Sequence, residues 1–255
     1  MMLRMGRTVF LVCVFAMGCK GRDISTVGPS AQPPASVASS SSSVVDAAPS
    51  DASKSRQGDQ QTFDFDGDEA NKPPSAFTAL RKGGNRDGKW VVLKESDAIS
   101  KPNVVAQMDT DPSDTRFSLL LTNELQSANT TQSVRCKPVS GIVDQACGMV
   151  CRVNEDASNY YLARANALEN NVRLYVVQNG VRKELASWSG AVKTGQWHRL
   201  ALVCHDSLFS VDWDETRVIS KVDKTYANRG KVGLWVKADS VTYFDDFEIK
   251  DAANP

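Results

Sequence analysis

The sequence is poor in the residues from which many catalytic centres are built. It has only two histidines among 255 residues, His198 and His205. His198 follows Trp197 at the start of a predicted strand, His205 ends another, and no Gly-x-Ser-x-Gly elbow is present. A serine-hydrolase triad is therefore not predicted.

Net charge is also lacking, because 30 basic and 30 acidic residues cancel. No basic patch is interleaved with aromatic residues, which argues against a nucleic acid as partner. The apolar run from Val9 to Met17 is too short to cross a bilayer, which takes about 20 residues. It follows the basic residues Arg4 and Arg7 and precedes Gly18, which is the layout of a secretory signal over residues 1–18.

The end of this signal, Ala16-Met17-Gly18-Cys19, is similar to a bacterial lipobox. Lipidation of Cys19 would anchor the protein to a membrane through acyl chains, each buried methylene contributing about 0.8 kcal/mol. The alternative is ordinary secretion with a cysteine at this position by chance. Lys20 after the cysteine favours export to the outer membrane, so we expect a lipid-anchored protein of the cell envelope.

Large apolar side chains are scarce from Ser25 to Arg56, where serine, alanine and proline dominate. Such a segment cannot bury enough surface to offset its ordering entropy. We therefore expect residues 19–61 to form a disordered tether. A flexible chain of about 40 residues spans about 35 Å on average.

Residues 62–255 are expected to form one domain with a single core. Fourteen short candidate strands separated by turn residues predict an all-β fold, an antiparallel β-sandwich of the jelly-roll type. Asn179-Gly180 predicts a two-residue hairpin, because both residues tolerate positive φ. A helix is suggested only over Asn123–Ala128.

Four cysteines remain for this domain after Cys13 leaves with the signal and Cys19 is acylated, namely Cys136, Cys147, Cys151 and Cys204. An even number in an exported protein predicts two disulfides, with three connectivities open. Cys136 and Cys147 flank a short reversal, which favours a bridge between them and leaves Cys151 for Cys204. A zinc site on these cysteines with His205 is the alternative, but it lacks paired C-x2-C spacing.

Five segments together resemble a family of exported bacterial concanavalin A-like (LamG-type) jelly rolls, related to the 3-keto-disaccharide hydrolase domain and to family-16-like glycoside hydrolases. The segments are residues 136–152, 159–169, 195–198, 230–240 and 243–247. The resemblance implies a sandwich fold and a glycoside or keto-sugar as ligand or substrate. In that family an aromatic residue usually occupies the positions of Cys136 and Cys151, and a small residue those of Cys147 and Cys204. In this chain, disulfide bridges would therefore stand at positions where the family has packed side chains.

The carboxylate motif of family-16 hydrolases, Glu-x-Asp-x-x-Glu, is incomplete. Glu95-Ser-Asp97 is the only Glu-x-Asp, and Ser100 stands where the second glutamate is needed. Retaining hydrolysis requires both carboxylates on one face. The sequence therefore gives no catalytic residue.

A polar and aromatic group on two predicted strands is the candidate ligand site. Alternation places Arg164 and Asn166 on one face of their strand, and Trp235 and Lys237 on one face of theirs. An aromatic plane with amide and guanidinium groups suits a pyranose. With Tyr160 added, these residues predict a glycan site. The alternative is that Trp235 is a core residue and that Arg164 pairs with Glu169.

Acidic residues near both ends of the domain form a second candidate site. Pairing of the first and last strands would bring Asp66 close to Asp245 and Asp246. Clustered carboxylate oxygens suit a structural calcium ion. The alternative assigns these residues to turns and strand edges.

These observations favour a non-catalytic envelope lipoprotein that displays a carbohydrate-binding jelly roll, with a polysaccharide or other glycan as partner. A hydrolase of glycosides or 3-keto-disaccharides, acting through Asp245 or Glu169, is the first alternative. A structural or adhesive envelope protein is the second.

Overall fold

A computed structural model describes residues 60–252, and these form strands and connections without a helix. None of this part of the chain is a helix that could cross a membrane. The predicted signal, Cys19 and the tether before Gln60 lie outside the described residues.

Fifteen strands make up the described fold. They are β1 Gln60–Phe63, β2 Phe77–Lys82, β3 Trp90–Lys94, β4 Asn103–Gln107, β5 Phe117–Ser127, β6 Thr130–Ser140, β7 Ala146–Val153, β8 Tyr160–Asn166, β9 Asn171–Gln178, β10 Val181–Ser189, β11 His198–His205, β12 Leu208–Trp213, β13 Thr216–Val222, β14 Gly230–Lys237 and β15 Val241–Asp251.

The strands form two antiparallel sheets. Sheet A has the order β13-β12-β11-β6-β15-β4-β3, with β1 also paired to β15, and sheet B has the order β10-β9-β8-β7-β14-β5-β2. The first and last strands pair as expected, with Phe63 opposite Phe247. The predicted all-β sandwich is confirmed.

Sheet B is apolar on both of its faces, because successive residues of a strand point to opposite sides. Leu120 and Leu234 face sheet A and belong to the main core of the sandwich. Leu119 and Trp235, one position away on the same strands, belong to a second apolar cluster on the outer face of sheet B. The outer face is therefore as well packed as the interior.

The structure departs from the sequence prediction in the segment after Leu121. Asn123–Ala128 is not a helix, because β5 continues as a strand to Ser127. Asn123 Oδ1 accepts a hydrogen bond of 2.7 Å from Thr78 of β2, a strand that the sequence analysis missed. Gln126 and Ser127 pair with Lys231 and Gly230 of β14, and this pairing outweighs the local helical tendency.

Two details of the chain follow the prediction closely. Asn179 and Gly180 join β9 to β10 with φ of 50° and 78°, as a two-residue hairpin turn requires. Both disulfides are present, Cys136–Cys147 and Cys151–Cys204. Each joins β7 of sheet B to a strand of sheet A, so the bridges cross the core. Because all four sulfurs are bonded in pairs, the alternative of a zinc site on these cysteines is wrong.

Loss of the long-range bridge is expected to cost more stability than loss of the short one. The bridges close segments of 53 and 11 residues, and chain entropy predicts about 4 and about 3 kcal/mol, respectively. The pairs Cys151→Ala/Cys204→Ala and Cys136→Ala/Cys147→Ala should be compared by urea unfolding. The reverse order would contradict this account.

Candidate functional site

The five residues of the predicted glycan site share the outer face of sheet B. On β8, Tyr160 belongs to the outer cluster, and Arg164 and Asn166 follow it at even spacing. On β14, Trp235 belongs to the same cluster and Lys237 follows two positions later. The alternation of side chains that was inferred from the sequence is therefore the one found in β8 and β14.

A single row of residues crosses four strands of this face. Arg173 of β9 lies opposite Arg164, which lies opposite Gly148 of β7, which in turn lies opposite Trp235. A Cβ at Gly148 would lie 3.1 Å from Trp235 Cε3 and 3.2 Å from the Ala163 carbonyl oxygen. Only glycine leaves room for the indole at this point between the arginines and β14.

Three arginines contact Tyr175 of β9. We call Arg164, Arg173 and Arg182 the arginine cluster. Its hydroxyl accepts hydrogen bonds from Arg164 Nη2 at 3.1 Å and from Arg173 Nη1 at 3.4 Å. The Arg182 guanidinium lies 5.2 Å from the centre of the Tyr175 ring. The cluster therefore joins β8, β9 and β10.

Two carboxylates pair with the arginine cluster. Glu169 Oε2 lies 3.1 Å from Arg164 Nη2 and 3.3 Å from Arg173 Nη1, while Glu184 Oε2 lies 3.4 Å from Arg173 Nε. Partial burial acts to raise the pKa of Glu169, but hydrogen bonds from Asn171 and Arg164 and the arginine charges outweigh it and lower that pKa. Glu169 is therefore ionised at neutral pH.

Arg182 has aromatic rather than acidic neighbours. Its Cζ lies 5.0 Å from the ring centre of Phe117 and 5.7 Å from that of Trp235, and these two rings stack at 5.3 Å. Among the described residues it makes no ion pair within 4.0 Å. Its guanidinium charge makes cation–π contacts with the rings of Phe117, Tyr175 and Trp235.

The predicted residues do not line an open groove. Tyr160 and Trp235 are 0% exposed and Arg164 is 2% exposed. Trp235 is packed in a cluster and Arg164 pairs with Glu169, which are the contacts of the alternative interpretation. The exposed margin of the face lies at β9 and β10, where the side chains of Arg173, Glu169 and Glu184 are 32%, 42% and 46% exposed.

This packing leaves an unusual number of polar atoms without hydrogen bonds. Of eleven such buried side-chain atoms among the described residues, seven lie on this face. They are Tyr160 Oη, Arg164 Nε, Arg164 Nη1, Asn171 Oδ1, Arg173 Nε, Arg182 Nη1 and Trp235 Nε1. Three of the seven have a polar neighbour all the same, because Arg173 Nε lies 3.4 Å from Glu184 Oε2 and the side chains of Trp235 and Tyr160 interact with each other. Burial raises the pKa of Tyr160 to about 12, so its hydroxyl keeps its proton. Each unpaired group costs about 1–3 kcal/mol, so their concentration here calls for an explanation.

Asn166 and Lys237 meet at a third carboxylate, that of Asp144. Asp144 Oδ1 accepts a hydrogen bond of 2.8 Å from Asn166 Nδ2, and its Oδ2 lies 3.3 Å from Lys237 Nζ. Lys237 also pairs with Asp114. Burial raises the pKa of Asp144, although the charges of Arg164 and Lys237 oppose this. These two predicted site residues therefore bind the Asp144 carboxylate, Asn166 by a hydrogen bond and Lys237 by an ion pair.

Arg173, Tyr175 and Arg182 were not predicted from the sequence as site residues. The signal was present, because Arg173-x-Tyr175 has the same two-residue spacing that singled out Arg164 and Asn166. Identifying Arg182 required the Asn179-Gly180 turn to be extended into a register, which places Arg182 opposite Val177 and Val177 opposite Tyr160.

Asp245 is held by hydrogen-bond donors. Its carboxylate accepts hydrogen bonds from the N–H groups of Ile99 and Ser100 at 2.8 and 3.0 Å and from the Ser100 hydroxyl at 2.8 Å. The N–H of Asp246 donates a fourth at 2.8 Å. This carboxylate fastens the β3–β4 connection to sheet A.

Asp66 has a similar role, since its Oδ1 accepts a hydrogen bond of 2.9 Å from the Asn103 N–H. Asp246 follows Asp245 at an irregularity of β15 with φ of 46°. No group of three or more acidic, histidine or cysteine side chains in residues 60–252 is arranged to hold a metal ion. The set of Asp66, Asp245 and Asp246 expected for calcium is thus not assembled there.

A cavity of about 360 Å³ lies elsewhere, lined by residues that include Arg152, Lys224 and Tyr226. The Arg152 side chain donates to the carbonyl oxygens of Ala128, Tyr226 and Asp206. With its guanidinium engaged in this way, Arg152 holds three connections together. The cavity lacks the unpaired donors that mark the outer face of sheet B.

His198 is likewise engaged. Its Nδ1 lies 2.8 Å from Asp214 Oδ2, its Nε2 contacts Lys193, and its ring stacks on Trp213 at 4.6 Å. The side chain is buried at the start of β11. It fastens the β10–β11 and β12–β13 connections.

Comparison with known proteins identifies the fold class. No family model matches the chain, and no curated protein is similar to it in sequence. The carbohydrate-binding module CBM66 from Bacillus subtilis superposes with a TM-score of 0.55 at 20% identity, over 69% of this chain and 96% of that one.

Two further structures are similar at 14% identity and a TM-score of 0.50, each over 74% of this chain. One is domain 4 of AbnA, a GH43 extracellular arabinanase from Geobacillus stearothermophilus solved with arabinotriose, of which 90% is covered. The other is a mutant of the GH43 protein BlXynB from Bacillus licheniformis, of which 39% is covered. At these identities the likeness is one of fold.

Replacement of Gly148 by alanine should destabilise the outer face of sheet B. A Cβ there would press on the Trp235 ring and on two backbone carbonyl groups, and we expect the free energy of unfolding to fall by about 1–3 kcal/mol. Gly67→Ala is the control, because nothing lies within 4 Å of its added Cβ. Urea unfolding followed by tryptophan fluorescence measures both. Equal stability of the two variants would contradict the packing described.

Asp245 should make stability depend on pH. Burial raises its pKa from 3.8 to about 6, against hydrogen bonds from Ser100 and the Asp246 N–H. The folded state therefore binds this proton more tightly than the unfolded state, and the stabilisation is present below about pH 4 and lost as pH rises through 6. The difference in unfolding free energy between wild type and Asp245→Asn should fall by up to about 3 kcal/mol over that interval. A difference that is constant or grows with pH would contradict this.

Proposed function

We propose that this protein is a cell-envelope lipoprotein whose jelly-roll domain binds a carbohydrate, without catalysing a reaction, at the outer face of sheet B. The observation that carries the proposal is the polar margin of that face, where the side chains of Arg173, Glu169 and Glu184 are 32%, 42% and 46% exposed. Aromatic rings and guanidinium groups side by side suit the apolar faces and the hydroxyl groups of a sugar.

A glycan would bind over the exposed margin formed by Arg173, Glu169 and Glu184. Sugar hydroxyl groups would donate hydrogen bonds to the two carboxylates and accept them from the Arg173 guanidinium. Trp235 lies three strands further in, on β14, and is fully buried.

The fold supports this proposal. The similar structures include a carbohydrate-binding module and an arabinanase domain with a bound trisaccharide. The family resemblance of residues 136–152 and 230–240 points in the same direction. We further propose that Cys19 carries the lipid anchor and that the anchor lies in the outer membrane. The tether would end at residue 59 rather than 61, because Gln60 and Gln61 pair with β15.

Hydrolysis of a glycoside or 3-keto-disaccharide is the second candidate function. Burial raises the pKa of Asp144, whereas its environment lowers the pKa of Glu169, and Asn166 contacts both residues. Carboxylates with pKa values shifted in opposite directions can act as acid and base. Both are engaged in ion pairs with Lys237 or Arg164, which favours binding over catalysis.

The full chain should bind at least one polysaccharide in a glycan array, and Arg173→Gln should weaken that binding by about tenfold or more. Glutamine removes the planar guanidinium group from the partly exposed margin. Dissociation constants from titration calorimetry measure the effect, with sugar release assayed in the same samples.

The matched control is Arg199→Gln, because Arg199 is also a partly exposed strand residue paired with a glutamate, Glu215, but lies on sheet A. It should leave the affinity unchanged. Absence of binding to every glycan would overturn the proposal. Sugar release that Asp144→Asn abolishes would replace it with the hydrolase.

A further inference from the structure

We infer that the end of the sandwich at which the chain enters the fold lies against an anionic phospholipid surface. This end consists of the β9–β10 turn, the β11–β12 turn and the β13–β14 connection, and we call it the entry end. The inference rests on the lipid anchor of the proposed function. It adds a membrane contact and an orientation of the domain on the membrane.

The register of sheet A places the first described residue at the entry end. Gln60 of β1 lies opposite Lys250 of β15, and Lys250 lies opposite Thr131 of β6. Thr131 in turn lies opposite Val203 of β11, a strand that ends two residues later at His205, where the β11–β12 turn begins. The proposed tether therefore joins the domain at the end to which this turn belongs.

The tether brings this end to the bilayer. A flexible chain of about 40 residues from Cys19 spans about 35 Å on average. Such a link gives the domain a high effective concentration beside the membrane, so contacts too weak to recruit a free domain become effective. Because the tether is attached at the entry end, this end can reach the bilayer without the domain turning over.

Three exposed apolar side chains lie at the entry end. Leu208 of β12 is directly opposite Val222 of β13, and they are 44% and 58% exposed. Val181, the first residue of β10, is 70% exposed. The β13–β14 connection lies beside the β9–β10 hairpin, because the Tyr226 hydroxyl donates a hydrogen bond of 3.2 Å to the Val177 carbonyl oxygen. Apolar side chains grouped in this way can insert into the headgroup region of a bilayer.

The charges beside these apolar side chains suit an anionic surface. Residues 221–229 include three basic side chains, Lys221, Lys224 and Arg229, and one acidic side chain, Asp223. The two lysines are exposed, whereas the Asp223 carboxylate accepts a hydrogen bond of 2.6 Å from the hydroxyl of the buried Tyr161. Lysines next to a membrane are attracted to anionic headgroups, and their carbon chains can lie along its apolar boundary.

The other charges near the entry end leave this balance positive. Asp206 of the β11–β12 turn pairs with His205 at 3.3 Å, and the charge of Lys183 on β10 interacts with Asp223. The β7–β8 connection instead folds over the outer face of sheet B, where its Asp156 pairs with Lys82. The entry end therefore has four basic side chains against two carboxylates.

The opposite end of the sandwich offers a matched comparison. Ile142 of the β6–β7 connection is 92% exposed. The Asp239 carboxylate accepts hydrogen bonds from the N–H groups of Ile142 and of the two residues after it. This end thus exposes an apolar side chain next to a carboxylate and lies away from the proposed tether.

The test uses the mature chain without acyl groups, residues 20–255, exported so that both disulfides form. It contains every strand that the structure describes. Sedimentation with vesicles of phosphatidylcholine alone, and with vesicles of phosphatidylcholine and phosphatidylglycerol, measures the two partition coefficients. We expect binding to the anionic vesicles to be tighter by about tenfold or more.

Two substitutions at the entry end should weaken binding to the anionic vesicles, each by about fivefold. Val222→Ser removes an exposed apolar side chain, and Lys224→Gln removes a positive charge. Their matched controls lie at the opposite end and should change nothing. These are Ile142→Ser and Lys193→Gln, the latter at an exposed lysine of the β10–β11 connection. Thermal unfolding of all four variants checks the fold.

Several results would overturn the inference. Equal binding to both kinds of vesicle, or binding to neither, would do so without affecting glycan binding measured on the same chain. Equal losses in the entry-end variants and in their controls would show adsorption without a specific surface. Self-association without vesicles that Val222→Ser abolishes would assign the surface to a second copy of the chain.

Two further measurements separate this inference from the proposed function. A chain that binds anionic vesicles as expected but no glycan would remove carbohydrate binding and support the membrane contact. Mass spectrometry of the exported protein showing Cys19 without acyl groups would remove the anchor, and with it the orientation inferred here.

Discussion

Strict alternation of side chains along the strands of sheet B is the constraint on which the rest of the structure depends. It sends Ala163, Leu234 and Cys147 into the core and Arg164, Trp235 and Gly148 to the opposite face. A slip of one residue in any of these strands would exchange the two sets. The core and the candidate site are thus two results of one register, and neither can change without the other.

The β-rich fold could be predicted because each strand carries its own signal in its side chains and turns. The grouping of Arg164 with Trp235 was predictable for the same reason. Their burial was not, since it depends on how β9 and β10 pack beside them. The helix suggested over Asn123–Ala128 failed because the pairing of Gln126 and Ser127 with β14 is a contact between distant parts of the sequence. Asp245 looked like a metal ligand, since no sequence pattern reveals that backbone N–H groups will occupy a carboxylate.

The outer face of sheet B combines two environments that proteins usually keep apart. Phe117, Leu119 and Trp235 form an apolar cluster with complete or near-complete burial, yet guanidinium groups are placed directly against it. Charged groups next to apolar surface have few water molecules to hydrogen-bond with, so the interactions of these arginines with Glu169 and Glu184 are strengthened.

The two disulfides have a consequence for this face that comes from β7, which both of them share. Cys147 and Cys151 point into the core and are covalently joined to β6 and β11, while Gly148 between them forms the floor under Trp235. The two disulfides therefore attach this part of β7 covalently to sheet A. A rigid platform loses little conformational entropy when a ligand arrives. Formation of the two disulfides would, on this view, make the outer face of sheet B rigid as well as stabilise the domain.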